Sequence, residues 1–161
     1  MIGDVKMSAG VEWGLHCCAV LSASEAPVPV AQLAELHGVS KTYLAKHMQA
    51  LSKANIIAAV EGRDGGYRLS RRPEDITVYD VVRAIDGPER AFRCTEIRQQ
   101  GPLASPPEAC TTPCGIAKVM ARAEIAWRDS LRGVSIADLA ASVDDATPGA
   151  WDGVRGWLSA G

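Results

Sequence analysis

Long apolar runs are missing from this chain. No stretch approaches the roughly 18 consecutive apolar residues of a membrane-spanning helix, so we expect no contact with a membrane. The opening stretch MIGDVKMSAG lacks the basic-then-apolar pattern of a signal peptide, which predicts a cytoplasmic protein. Phenylalanine occurs only once. The chain is nevertheless 47% hydrophobic and 22% charged, which is typical of an ordinary globular protein.

Cysteine occurs five times, an odd number that argues against a framework of disulfides. In a reducing compartment such residues are free thiols, metal ligands or redox sensors. Cys17 and Cys18 fall in an apolar segment, and we interpret both as core side chains. Cys94, Cys110 and Cys114 lie in or beside a proline-rich stretch and are the candidates for chemistry.

Basic side chains are concentrated in one part of the chain. Residues 40–72 hold seven Lys or Arg and two Asp or Glu, although the whole chain has a formal net charge of −2. A basic block on an acidic protein indicates a surface that binds a polyanion. A solvated charged face would give the same composition. The inference of a polyanion-binding surface therefore depends on which fold the basic block adopts.

The basic block has the pattern of a winged helix. The apolar spacing predicts a helix over Val11–Leu21, a short helix ending at Gly38 and a third helix capped by Ser40. The stretch IIAAVEGRDGGYRLS then predicts a β-hairpin with Arg63 at its tip. We therefore expect a mainly α fold, in which a helix-turn-helix is followed by a small hairpin wing.

The second half of the chain is predicted to be helical, apart from one long loop. A capping box at Thr77 and Asp80 begins a helix, and residues 89–114 lack periodicity and hold four prolines. Gly115–Leu131 is apolar on more than one side, which predicts a dimerisation helix and a homodimer. We expect a winged-helix domain over 1–88, a cysteine-bearing loop with the dimerisation helix over 89–143, and a tail over 144–161 docked by Trp151 and Trp157.

Cys110 and Cys114 stand immediately before the predicted dimerisation helix. Two thiols separated by three residues can bind one metal centre, and a helix N-terminus supplies N–H donors and a positive potential that favour thiolate. The spacing suits zinc or iron–sulfur chemistry. It is also compatible with ordinary small apolar side chains.

Five features of the chain together resemble the Rrf2 superfamily of bacterial transcription regulators. They are VEWGLHCCAVLS, VSKTYLAKHMQALSKANII, GRDGGYRLSRRPEDITVYDVVRAIDG, the three later cysteines and SIADL, which span about residues 7–143. The resemblance implies a winged helix that binds double-stranded DNA, cysteines that hold an iron–sulfur cluster and a long helix that forms the dimer. It implies no catalytic activity.

Within this superfamily, the stretch VEWGLH is similar to that of the redox-sensitive RsrR type. The resemblance implies a 2Fe–2S cluster held by Cys110 and Cys114 of one subunit and by Glu12 and His16 of the other. Residues four apart project from one helix face, so Glu12 and His16 can reach one iron together. Cys94 stands 16 positions before Cys110, which departs from the superfamily spacing, and is a third ligand, a replacement ligand or a core side chain.

Exposed positions on the third helix and the wing are candidates for DNA contacts. A recognition helix presents its N-terminal half to base edges, and a wing tip such as Arg63 can enter a minor groove. The candidates for base edges are Tyr43, Lys46, His47 and Gln49, with Thr42 beside them. The candidates for phosphates are Lys41, Lys53, Arg68, Arg71 and Arg72.

Trp13 lies between the two ligands that the first helix would supply. We predict that its indole acts as a redox switch that responds to cluster charge and repacks the first helix, although such aromatics are also typical core anchors. The predicted function is a DNA-binding transcription regulator that senses redox state through a 2Fe–2S cluster. Alternatives are a zinc or thiol–disulfide regulator of the same fold and a nitric-oxide sensor. An iron–sulfur redox enzyme or electron carrier is a remote alternative, because no substrate or nucleotide motif is present.

Overall fold

The computed structural model describes residues 7–161, in two compact units. Of the described residues, one unit contains residues 7–88 together with Leu131–Gly161, and the other contains Glu89–Ser130. The described residues form seven α-helices and one two-stranded sheet, which confirms the predicted mainly α fold with a hairpin wing. In this part of the chain no helix has the length and apolar character to cross a membrane. The prediction of a cytoplasmic protein depends on the opening stretch MIGDVKMSAG. The first six residues of this stretch lie outside the described residues.

Three helices open the first unit, as the sequence predicts. They are α1 (Ala9–Ala23), α2 (Val30–His37) and α3 (Lys41–Lys53). Gly38 ends α2 in the left-handed region with a φ of 62°, a conformation that costs glycine little. The Ser40 hydroxyl accepts a hydrogen bond from the Tyr43 N–H at 3.5 Å, so α3 begins at the predicted cap.

The wing is an antiparallel hairpin of β1 (Ile57–Val60) and β2 (Gly66–Leu69). A third segment joins it, because the Val28 N–H donates to the Tyr67 carbonyl at 2.9 Å and the Tyr67 N–H donates to the Val28 carbonyl at 2.8 Å. Gly66 permits this contact: it has a φ of 156°, and a Cβ there would lie 2.4 Å from the carbonyl carbon of Val28. The wing is therefore fixed to the chain between α1 and α2.

Two helices that begin with capping boxes, the first of them predicted, close the first unit from separate parts of the sequence. They are α4 (Val78–Asp86), capped by Thr77 and Asp80, and α6 (Ile136–Ala146), capped by Ser135 and Asp138. Their cap segments pair with each other: the Val78 N–H donates to the Val134 carbonyl at 2.9 Å, and the Ile136 N–H donates to the Ile76 carbonyl at 2.8 Å. This pairing attaches the start of α6 to the segment that begins α4.

The remaining helices are α5 (Gly115–Arg132) and α7 (Ala150–Ala160). The predicted loop before α5 contains two short 3-10 turns, Ile97–Gln99 and Pro107–Cys110. α7 was expected only as a docked tail, and Trp151 does dock it, donating from Nε1 to the Ala140 carbonyl at 2.8 Å. Trp157 is exposed instead.

The core of the first unit surrounds α1, which packs against α3, α4, α6, α7 and β2. Cys17 and Cys18 are fully buried there, as predicted, and Ala19 is buried beside them. Gly14 brings α4 close, because a Cβ at this position would lie 2.4 Å from Ile85 Cδ1. Burial of each large aliphatic side chain contributes about 1.5–3 kcal/mol, and the elements packed around α1 supply most of these buried side chains.

We predict that Gly66→Ala lowers the free energy of unfolding by about 2 kcal/mol, because the added methyl group meets backbone atoms that cannot move aside. The matched control is Gly153→Ala in α7, where a Cβ meets no atom within 4 Å and should stabilise the helix by about 0.5–1 kcal/mol. Chemical denaturation of both variants measures the two effects. Equal stability of Gly66→Ala and the parent would contradict the close contact between the wing and Val28.

Candidate functional site

The three later cysteines lie in the Glu89–Ser130 unit, and none of them forms a disulfide. Cys94 and Cys110 line one cavity of about 450 Å³. Cys94 is exposed, whereas Cys110 and Cys114 are half-buried. The structure therefore brings Cys94 towards the segment of Cys110, despite their distance in sequence.

Cys114 lies at the N-terminus of α5 in an environment that favours the thiolate. The Ala117 N–H donates to Cys114 Sγ at 3.5 Å and lowers the pKa of the thiol, while partial burial opposes this effect. The Ile116 N–H and the charge of Arg98 lower the same pKa further. A thiol that ionises easily is a good metal ligand.

Glu12 and His16 lie on the exposed face of α1. They line a cavity of about 270 Å³ whose walls include Leu15 and the α6 residues Leu139 and Val143. The Glu12 carboxylate makes no hydrogen bond or ion pair with the residues that the structure describes. Two potential ligands therefore lie together on a largely buried helix. The Glu12 carboxylate makes no described contact that stabilises the fold.

His37, at the end of α2, lies beside His16, with ring centroids 5.6 Å apart. Burial lowers the pKa of His37, and the neighbouring His16 lowers it further. Within residues 7–161 the buried Nε2 atom of His37 has no hydrogen-bond partner. Sequence reasoning missed this residue, because nothing in the spacing relates the end of α2 to the middle of α1.

Trp13 connects α1 with α3, the predicted recognition helix. Its ring meets the imidazole of His47 edge-on, with centroids 5.9 Å apart and planes at 84°. Gly10 makes room for this imidazole, because a Cβ there would lie 2.3 Å from His47 Cε1. His47 is half-buried against α1 and differs in this respect from its exposed neighbours on α3.

The other predicted DNA-binding residues are exposed, with one exception. The Tyr43 side chain is 65% exposed near the start of α3. Arg71 is half-buried and donates from Nε to the Asn55 carbonyl at 3.2 Å and from Nη1 to the Asp75 carbonyl at 3.1 Å. The exposed members are Lys41, Thr42, Tyr43, Lys46, Gln49, Lys53, Arg63, Arg68 and Arg72. They give α3 and the wing a predominantly basic surface.

The donor types of the predicted ligands fit a 2Fe–2S cluster. Cys110 and Cys114 offer soft thiolates, and Glu12 and His16 offer an oxygen and an imidazole on one helix face. Among the described residues of a single chain, no three His, Cys, Asp or Glu side chains converge to hold a metal ion. The residues that the structure describes therefore do not assemble a complete ligand set within one chain.

Sequence comparison relates the chain to known regulators. The sequence model of the Rrf2 family, described as an iron-dependent transcriptional regulator, matches residues 7–142. The HTH-type transcriptional regulator IscR of Aliivibrio salmonicida is 42% identical over 92 residues, which cover 57% of this chain and 51% of that protein. The protein aau3 of Rhizobium meliloti is 33% identical over 110 residues, which cover 68% of each chain. The match thus spans about half the length of the IscR relative.

Solved structures share the fold. The IscR structure of T. potens has a TM-score of 0.68 at 24% identity and covers 89% of this chain and 92% of its own. CymR, described as the global cysteine regulator of B. subtilis, has a TM-score of 0.66 at 24% identity and covers 86% of this chain and 98% of its own. At this level of identity, the likeness concerns the fold alone.

We predict that iodoacetamide modifies Cys94, Cys110 and Cys114 in the native metal-free protein and spares Cys17 and Cys18. The thiolate is the reacting form, and burial raises the pKa of Cys17 to about 12 and raises that of Cys18 as well. The pKa of Cys114 is lowered, so its alkylation should persist to lower pH than that of free cysteine. Peptide mass spectrometry across a pH series measures both effects.

Modification of Cys17 or Cys18 before unfolding would contradict the described packing of α1. A pH profile for Cys114 identical to that of free cysteine would contradict its contact with the α5 N-terminus.

Proposed function

Because the chain belongs to the Rrf2 family of transcriptional regulators, we propose that it regulates transcription by sensing redox state through a 2Fe–2S cluster. Like its relatives, the chain is a DNA-binding regulator and not an enzyme. The proposal of a redox-sensing 2Fe–2S cluster is supported by the local environment of the predicted ligands. Cys114 is biased towards thiolate, and Glu12 and His16 share the exposed face of α1.

A homodimer would complete the ligand set. The two cysteines of one subunit would hold one iron, and Glu12 and His16 of the second subunit would hold the other. Exposed apolar side chains on α5 support this arrangement, because Ile116, Val119 and Ile125 have more than half their surface exposed and favour a partner helix. Cys94 is proposed as a third or replacement ligand, supported by its place in the cavity of Cys110.

The proposed cluster supplies a one-electron redox centre, and its imidazole ligand would link electron transfer to protonation. Trp13 would carry the response, because it lies between Glu12 and His16 in sequence and its ring contacts His47 on α3. A change in the orientation of this indole would shift α1 against the recognition helix. Such a switch requires two packings that differ by a few kcal/mol at most.

The DNA interface is proposed to consist of α3 and the wing. Tyr43, Lys46 and Gln49 would read base edges, with Thr42 beside them, and Arg63 would enter the minor groove. The proposed phosphate contacts are Lys41, Lys53, Arg68 and Arg72. His47 and Arg71 would act by holding α3 in place, because both are half-buried in contacts with neighbouring segments. The predicted cytoplasmic location follows from this function and stays a prediction.

We predict that protein purified without oxygen absorbs visible light and contains iron and acid-labile sulfide in equal amounts. Cys110→Ser and Cys114→Ser should lose this absorption, because each variant removes a thiolate ligand. Glu12→Gln and His16→Ala should shift the absorption bands and the electron paramagnetic resonance signal of the reduced form. Spectra before and after dithionite, with iron and sulfide analysis, provide the measurement.

The matched controls are Cys17→Ala, a buried cysteine, and Glu35→Gln, an exposed carboxylate on α2. Both should keep the parent spectrum. A colourless parent protein that contains zinc would support the zinc regulator instead, and a colourless metal-free protein would support the thiol–disulfide regulator. Loss of DNA binding only with nitric oxide would support the nitric-oxide sensor.

We predict that Arg63→Ala weakens operator binding roughly tenfold and leaves the cluster spectrum unchanged, because the wing tip lies far from the cysteines in sequence and carries an exposed charge. The slope of log affinity against log salt should fall by about 1. Arg83→Ala removes an exposed arginine of α4, outside the basic block, and should leave the operator affinity, its salt slope and the cluster spectrum unchanged. Equal salt slopes for Arg63→Ala and the parent would remove the wing from the interface.

A further inference from the structure

Arg98 joins separate parts of the cysteine-bearing loop. Its Nε donates to Glu96 Oε1 at 2.5 Å, and its Nη2 donates to Glu96 Oε2 at 2.8 Å and to the Thr112 carbonyl at 3.0 Å. The Arg98 carbonyl also accepts a hydrogen bond from the Ser105 N–H at 2.7 Å. Thr112 lies between Cys110 and Cys114, so one guanidinium fixes the position of the segment that carries both cysteines.

The same guanidinium is hydrogen-bonded to Thr112, two positions from each cysteine, and its positive charge acts on both thiols. The charge of Arg98 lowers the pKa of Cys114, and the opposing effect of Glu96 on that pKa is smaller. In turn, the Glu96 hydrogen bond raises the pKa of Arg98, and Cys110 and Cys114 raise it further. Arg98 and Glu96 are both about two-thirds buried, with 28% and 32% of their side chains exposed, so solvent screens them less than a surface pair.

We infer that Arg98 is a positioning residue that holds the cysteine loop in its ligating form and raises the reduction potential of the cluster bound there. This inference rests on the proposed function. Reduction transfers one electron from an external reductant to the cluster and makes it more negative, with no bond formed or broken in the protein. A fixed cation beside the thiolates favours the more negative form, so removing it should make the cluster harder to reduce.

The test measures the midpoint potential of the intact dimeric protein by dithionite titration, followed by visible absorption and electron paramagnetic resonance. Arg98→Gln removes the charge and should reduce the ratio of reduced to oxidised cluster about tenfold at a fixed potential, which corresponds to a shift of about −59 mV for one electron. Arg98→Lys keeps the charge and should keep most of the potential, although it loses the two-pronged contact with Glu96.

Glu96→Gln provides a second measurement of opposite sign. It removes the negative partner and leaves Arg98 in place, so the potential should rise. This variant also decides the matter if Arg98→Gln assembles no cluster: an unchanged or lowered potential in Glu96→Gln would overturn the inference. The control is Arg83→Gln, which removes an exposed arginine of α4, outside the cysteine-bearing loop, and should leave the potential unchanged.

The outcomes separate this inference from the function on which it rests. A parent protein without iron and sulfide refutes the 2Fe–2S proposal, and the role of Arg98 with it. A parent protein with a cluster, combined with an equal potential in Arg98→Gln, refutes the role of Arg98 alone. Opposite shifts in Arg98→Gln and Glu96→Gln, with no shift in Arg83→Gln, support it.

Discussion

The enclosure of α1 by neighbouring elements is the constraint on which the first unit depends. Helices from both halves of the chain, together with the second wing strand, pack around this helix. Two glycines make the packing possible, because a Cβ at Gly10 would overlap His47 and one at Gly14 would overlap Ile85. The helix is therefore apolar on most of its surface, and the line from Glu12 to His16 is its exposed polar strip.

This arrangement places proposed ligands on the element that contacts most of the fold. A small displacement of Glu12 or His16 would act on α3 through Trp13 and His47, and on α2 through His37. Closely packed interfaces shift between discrete arrangements and do not deform gradually. The proposed sensor therefore needs no long relay, because the ligand helix and the recognition helix are already in contact.

Local patterns in the sequence predicted most of the fold. The caps at Ser40, Thr77 and Ser135 and the left-handed Gly38 depend on residues within four positions, so the boundaries of the helices followed from them. The pairing of Val28 with Tyr67 depends on residues far apart in sequence and carries no local pattern. The helical tail was missed for a similar reason, since its stability comes from Trp151 docking on α6.

The candidate site was predicted unevenly for the same physical reason. Residue type and the family resemblance identified Cys110, Cys114, Glu12 and His16 as ligand candidates. The neighbouring groups Arg98 and His37 were missed, because they approach these residues only in the folded chain. The half-buried position of His47 also depends on Gly10, a residue with no side chain to suggest a contact.

The attachment of the wing to Val28 has a consequence for the choice of binding sites on DNA. Because the hairpin is hydrogen-bonded to the backbone just before α2 and packs against α3, the fold sets the spacing between the wing and α3. In the proposed complex, the duplex must adjust its groove widths to this spacing. Base steps that neither arm touches would then affect affinity through their stiffness, so operators would share flexible dinucleotides at uncontacted positions.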